Sequence, residues 1–232
     1  MLILGIETST EQVGCAIGGH EGVLASAHSL RGRQHAESLA PQIDFVRRQA
    51  RIEMSEISLV AVDIGPGLYT GLRVGVATAV ATAFALGVPM IAVSSLDLVA
   101  FPVRFTPRLI MATLDARRGE VFYALYRQVP GGIQRLSEPK VATPEEASSH
   151  LQARGGDCLL VGDGALRYRR VFEENHRSEF VEQGFAHPSA GSLVQLAHAQ
   201  ALREEWVNSW EVEPLYLRRP DAEINWQSRE RS

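Results

Sequence analysis

Residues 59–86 read LVAVDIGPGLYTGLRVGVATAVATAFAL. The stretch opens with an apolar run, Leu59 to Ile64, closed by Gly65-Pro66-Gly67, and this predicts a short buried strand. A glycine-rich turn follows, and then Gly71 to Leu86 carries one charge, Arg73, and no proline. Strand, glycine turn and helix form the layout that presents helical N–H groups to an anion. The standard phosphate loops nevertheless do not fit. A P-loop needs G-x-x-x-x-G-K-[ST], and Lys140 is the only lysine in the chain. The dinucleotide fingerprint G-x-G-x-x-G finds Gly65 and Gly67 but Thr70 where its third glycine belongs.

The helix that follows has the four-residue rows Gly71-Gly75-Ala79-Ala83 and Leu72-Val76-Val80-Phe84. Its sixteen residues rise ~24 Å, short of the ~20 apolar residues that cross a bilayer. A helix with no polar face is expected to be buried all round. The bulky row suits packing on the chain's own sheet. The Gly/Ala row admits another helix at close range, either that of a partner subunit or the chain's own first helix.

Length and composition frame what such a stretch can belong to. A chain of 232 residues makes one large domain or two small ones. Its 45% hydrophobic and 22% charged residues are those of an ordinary globular protein, and no membrane role is expected. The formal charge of −4 argues against autonomous binding of nucleic acid, where a basic stripe is expected. Cys15 and Cys158 are far apart, without C-x-x-C spacing, and read as buried thiols in a reducing compartment. The opening MLILGIE meets Glu7 too early for a signal-peptide core, so a cytoplasmic location is expected.

In chain order, Leu2–Thr8 predicts a central strand, and Val13–Ile17 and Val23–Ser29 complete a meander with it. His35–Arg51 predicts a helix through Leu39, Ile43, Val46 and Ala50, with Pro41 in its first turn or kinking it. After the central strand and helix, Pro89–Val93 gives a fifth strand. The first half therefore reads β-β-β-α-β-α-β. The second half repeats the order with strands at Leu109–Leu114, Val121–Tyr126 and Ile133–Leu136. A helix begins at Thr143-Pro144-Glu145-Glu146, and Leu159–Gly164 echoes Val60–Gly65. A last helix spans Ser189–Glu205. The expected organisation is α/β, a first lobe at 1–100, a second at 101–220 and a polar tail at 221–232. Two copies of one topology suggest an internal duplication.

GIETST at 5–10, GPGLYTGLRVG at 65–75, LDARRGEVF at 114–122, HPSAGSLVQLA at 187–197 and PLYLRR at 214–219 resemble the YeaZ/TsaB family. The resemblance runs over nearly the whole chain. It implies an actin/Hsp70-like fold of two tandem ribonuclease-H-like lobes, each a mixed five-stranded sheet with helices. It also implies an accessory role in making threonylcarbamoyladenosine beside the tRNA anticodon. On that resemblance the chain is not itself an enzyme and requires no cofactor, with ATP or ADP held, if anywhere, at a subunit interface. Its partners are then a catalytic paralogue, TsaD, and an ATPase, TsaE. It forms a homodimer when alone and meets tRNA only through the complex.

The residues themselves agree on catalysis. The chain's histidines, His20, His28, His35, His150, His176, His187 and His198, include no two at helical ligand spacing, so no metal site is expected. No G-x-S-x-G elbow appears. The rival readings are an ATP-dependent small-molecule kinase or ATPase of the same superfold and a glycoprotein metallopeptidase. A kinase or ATPase would use a nucleotide cleft of Glu7, Thr8, Ser9, Gly65, Gly67, Thr70, Asp115 and Arg117, which the accessory reading treats as vestigial. Much of the family has Asp where this chain has Glu7, and Thr70 is also placed to cap the helix. Arg73 opposes the helix dipole and calls for an acid: Asp63, Asp44, a phosphate or a partner's carboxylate. Helices 35–51 and 71–86 are expected to form the subunit interface, through His35, Leu39, Gln42, Val46, Gly71, Arg73, Gly75, Ala79 and Ala83.

Overall fold

A computed structural model of the chain describes residues 1–30, 35–174 and 177–218. The tail expected at 221–232 lies outside the described residues. The first sheet is built from β1 (Leu2–Glu7), β2 (Gln12–Gly19), β3 (Gly22–Leu30), β4 (Ile57–Gly65) and β5 (Met90–Ser94), in the order β3-β2-β1-β4-β5. β1, β2 and β3 form the expected antiparallel meander, while β4 and β5 join in parallel. Both faces of this sheet are covered, which is why its central strands read as unbroken apolar runs. Leu4, Ile6, Val60, Val62 and Met90 face α1 (His35–Ala50) and α2 (Tyr69–Leu86). Their neighbours Ile3, Leu59, Ala61, Ile91 and Val93 face the opposite way. Pro41 stands inside α1, past its first turn, where it leaves one helical carbonyl without its usual donor.

The second sheet is six-stranded rather than five. It contains β6 (Leu109–Arg117), β7 (Glu120–Val129), β8 (Gly132–Arg135), β9 (Lys140–Ala142), β10 (Cys158–Val161) and β11 (Ser178–Phe180). Its main path runs β11-β10-β6-β7-β8, with β9 paired to β7. One face is covered by α3 (Ser95–Ala100). The other carries α4 (Pro144–Arg154) and Phe172 of α6 (Arg169–Glu173), with α5 (Asp163–Arg167) between them. α4 starts as its sequence predicts: Thr143 Oγ1 accepts from the Glu146 amide, and the Glu146 carboxylate accepts from the Thr143 amide.

The last helix, α7 (Ala190–Ala201), departs from the expected lobe boundary. Ala190, Leu193, Val194 and Ala197 pack on Ile3, Leu59, Ala61 and Ile91 of the first sheet. The first lobe is therefore completed by residues from the 101–220 stretch. Gly5 on β1 makes room for it, since a Cβ there would stand 3.0 Å from Val194 Cγ2.

The packing of α2 corrects the expected subunit interface. Its Gly71-Gly75-Ala79-Ala83 row is buried within the chain itself, as are His35, Leu39 and Val46 of α1. Ala79 and Ala83 sit in the core with Leu4, Ile6, Val60 and Val62. The glycines admit the backbone after β1: a Cβ at position 71 would lie 2.1 Å from the Thr8 carbonyl oxygen, and one at 75 would lie 2.1 Å from Thr8 Oγ1. The bulky row divides, with Leu72 and Val76 inside and Phe84 79% exposed. α2 is thus not buried all round. Thr70, Arg73, Ala77, Ala81, Phe84 and Ala85 form its outer face.

Candidate functional site

The C-terminal ends of β1 and β4 bring together most of the expected cleft residues. Glu7, Thr8, Ser9 and Asp63 are all buried. Glu7 Oε1 accepts from the Ser9 amide at 2.7 Å and from Ser9 Oγ at 2.8 Å, while Glu7 Oε2 has no hydrogen-bond partner among the described residues. Thr8 Oγ1 donates to the Gly71 carbonyl at 2.8 Å. His35 Nε2 donates to the Thr10 carbonyl at 2.7 Å, which fixes the far end of the same loop.

Asp63, next to the glycine turn, is held in the same manner. Its Oδ1 accepts from the Gly65 amide at 2.8 Å and from Ser95 Oγ at 2.6 Å, and its Oδ2 has no hydrogen-bond partner among the described residues. Burial pushes the Asp63 carboxyl up to about 6. Burial, and then the neighbouring Asp63, raises the Glu7 carboxyl well above its ordinary range. Burial at the ends of adjacent parallel strands thus favours the protonated form of each of these acids.

The glycine turn closes on this loop instead of opening toward a ligand. Gly65 has φ +105°, in the region that favours glycine. Leu68 donates its amide to the Ser9 carbonyl at 2.7 Å, and a Cβ at Gly67 would stand 2.2 Å from that same oxygen. Leu68, not Thr70, precedes the first turn of α2, and no side chain caps it. Thr70 is exposed on the second helical residue, so the expected cap is absent.

The second lobe repeats the device. Asp115 lies two residues before the end of β6, and its amide donates to Asp163 Oδ1 at 2.9 Å. Gly162, with φ +103°, lies so close to the first strand of its lobe that a Cβ would be 1.9 Å from the Thr113 carbonyl. In both lobes, then, a glycine after the second parallel strand rests on the backbone of the first. Arg118 and Gly119, with φ 56° and 80°, make the tight β6–β7 turn. From it Arg117 reaches Asp115 at 3.1 Å and also forms an ion pair with Glu11 of the first lobe. Arg117 is therefore one point where the two sides of the cleft join. Glu11, Ser95 and Asp163 were not singled out from sequence; the echo of VDIG in VGDG was the one available signal for Asp163.

Mg-nucleotide does not fit these residues as they stand. The Glu7 and Asp63 carboxylates that would face a metal are out of solvent's reach, and the Ser9 carbonyl occupies the Leu68 amide that an anion would use. Among the described residues, no three His, Cys, Asp or Glu side chains gather around one ion position.

A family model described as TsaD, tRNA N6-adenosine threonylcarbamoyltransferase, matches residues 25–226. The TsaB proteins of Haemophilus influenzae and Escherichia coli, both described as tRNA threonylcarbamoyladenosine biosynthesis proteins, are 27% and 28% identical to the chain. The first match covers 98% of this chain and 96% of its relative, and the second 94% and 95%. The chain belongs to the TsaD-like family, on its YeaZ/TsaB branch. An uncharacterised Mycobacterium tuberculosis protein is 32% identical over 95% of the chain and 93% of its own length. The solved structure of YeaZ from Pseudomonas aeruginosa superposes with a TM-score of 0.83 at 27% identity, over 93% of this chain and 99% of that one. The dehydratase activator of Clostridium difficile, solved with bound ADPNP, reaches a TM-score of 0.50 at 12% identity, over 93% of this chain and all of that one. That likeness shows the shared fold alone. The architecture is the expected two-lobed, actin/Hsp70-like one of the YeaZ/TsaB family.

Arg73, left seeking an acid by the sequence, finds none among the described residues. Asp63 is buried against Ser95, and Asp44 pairs with Arg47 and Arg48. Arg73 instead accepts the company of Tyr69: Nη1 donates to its hydroxyl at 3.0 Å, and the guanidinium lies 5.4 Å from its ring centre.

Proposed function

We propose that this chain is a non-catalytic accessory subunit in threonylcarbamoyladenosine biosynthesis on tRNA. In this reading it docks to a TsaD-type catalytic paralogue, an ATPase of the TsaE type binds the pair, and the chain pairs with itself when the paralogue is absent. It meets tRNA through the assembly and needs no cofactor of its own. A nucleotide would reach this chain only at its rim, beside Glu11, Thr70 and Arg117.

One contrast carries the reading. The cleft that an actin-like enzyme would use is filled by the chain's own loops, while the outer face of α2 is open and carries one charge, Arg73. On α2 that face presents Arg73, Ala77, Ala81, Phe84 and Ala85, and on α1 the exposed Ala40, Pro41 and Phe45 stand beside the charged Glu37 and Arg48. Phe84 is 79% and Phe45 51% exposed, a cost in water that a partner helix would remove. Small residues at Ala77 and Ala81 let such a helix come close. Arg73 would meet a partner's carboxylate there. The interface therefore uses Arg73 and the half-buried Gln42 from the residues expected at first, and replaces the buried ones with the outer row.

Reconstitution tests the role. Paralogue, ATPase, threonylcarbamoyl-adenylate and tRNA are combined with and without this chain. Modified tRNA is expected only when the chain is present. Equal modification without it contradicts the accessory role.

A further inference from the structure

On the face of the second sheet away from α3, a concavity of ≈ 230 Å³ lies between β7, β9 and α4. Its polar lining is Tyr123, Ser137, Lys140, His150 and Arg154, and it includes no acid. The topology explains the convergence. Lys140 on β9 is the register partner of Tyr123 on β7, so the two share a face of the sheet. His150 and Arg154 are four residues apart on α4 and share a face of that helix.

Each of these groups except Tyr123 has donor capacity to spare. Lys140 and Arg154 form no ion pair among the described residues. Ser137 Oγ accepts from the Leu125 amide at 3.0 Å, which leaves its own proton free to donate. The Tyr123 hydroxyl and His150 Nδ1 are hydrogen-bonded to each other. A tyrosine proton given to Nδ1 puts the imidazole proton on Nε2, so the ring offers one more donor. The acid that acts on this cluster is Glu146, which raises the Tyr123 hydroxyl after burial does so. Its carboxylate is already engaged by the Thr143 amide. In a chain of net charge −4, an acid-free concavity with an ammonium, a guanidinium, an imidazole and a hydroxyl is a local reversal of sign.

We propose that this concavity is a phosphate-group subsite, held by Lys140, His150, Arg154 and Ser137. Charge-assisted N–H···O bonds from Lys140 and Arg154 would carry the recognition. The chemistry is shared by a small phosphomonoester and by the backbone of a nucleic acid.

The single lysine provides the measurement. Protein grown with ε-¹³C-lysine has one ε-methylene signal, that of Lys140. Titration with inorganic phosphate at constant ionic strength is expected to move this signal along a saturable curve. Sodium chloride should not reproduce it. Arg154→Ala should weaken the titration at least ~5-fold, the loss of one charge-assisted contact, while Arg170→Ala, on a different helix, leaves it unchanged. Glycerol 3-phosphate and a short single-stranded RNA then serve as separate competitors. Displacement by the RNA at the lower concentration assigns the site to nucleic acid, and displacement by glycerol 3-phosphate alone assigns it to a small ligand. A Lys140 signal that responds to phosphate and chloride alike overturns the proposal, as does an Arg154→Ala titration equal to that of the unmodified chain.

Discussion

Thr8 Oγ1 donates to the Gly71 carbonyl oxygen at 2.8 Å, and the same oxygen atom of Thr8 would lie 2.1 Å from a Cβ placed on Gly75. One side chain thus ties the end of β1 to two successive turns of α2. Gly75→Ala should therefore force the loop and the helix apart and destabilise the fold by about 3 kcal/mol, as overpacking does. Urea unfolding monitored by circular dichroism measures this. A variant as stable as the original would mean that the loop yields freely.

Neighbouring alanines on α2 should respond in opposite ways. Ala79 is fully buried among Leu4, Ile6 and Val60, so Ala79→Glu places an unpaired carboxylate in the core. A loss of several kcal/mol, enough to unfold the chain, is expected. Ala81 is exposed on the outer face, and Ala81→Glu should change stability by no more than ~0.5 kcal/mol. It should nonetheless reduce self-association in light scattering. A folded, soluble Ala79→Glu chain would contradict the packing of α2.

The two strands and the helix of this region were legible in sequence, and the direction of the helix was not. Leu59–Val62 and Leu2–Ile6 are continuous apolar runs, as a doubly covered sheet requires. Periodicity told which residues of α2 share a row, but not which row meets the sheet. Gly71 and Gly75 signal close approach of a backbone. The approaching backbone turned out to be Thr8, distant in sequence, rather than a second subunit. Such a pairing has no periodic signature. The same limit hid α7: its apolar residues predict a helix, yet only the fold reveals that Val194 lies on Gly5. β9 and β11 were missed because three residues are too few to show alternation. The cleft residues were legible as a group because Glu7 and Gly65 end strands and Asp115 follows the apolar run Leu109–Leu114. Their burial was not, because it depends on how tightly one loop closes on another.

Asp63 gives the fold a pH dependence with a definite sign. Its carboxyl is raised from 3.8 to about 6 by burial, whereas unfolding returns it to ~3.9. Between those values the folded chain holds more protons than the unfolded one, so this group's contribution falls as pH rises. Asp63→Asn removes the ionisation and keeps an oxygen for Gly65 and Ser95. Relative to the original chain, the variant should gain stability as pH increases from ~4 to ~7. Urea midpoints at the two ends of that range measure the gain. A difference that is constant across the range would show that Asp63 ionises freely in the folded chain.

The charge of −4 sets an expectation for tRNA. The isolated chain should bind tRNA weakly, and raising salt should abolish the binding, because phosphate contacts release counterions. Filter binding at two salt concentrations measures this. Submicromolar, salt-resistant binding would place base-reading contacts on this chain itself.

The most direct test of the central claim is tRNA modification by the reconstituted system with Ala81→Glu in place of the original chain. The variant's own circular dichroism should match the original, since Ala81 touches no core residue's place in the sheet. Modification should nonetheless fall at least ~10-fold, the effect of ~1.4 kcal/mol lost at the docking face, and should recover as variant concentration is raised. Full modification at equal concentration would show that the outer face of α2 does not carry the partner, and the accessory role as stated here would be wrong.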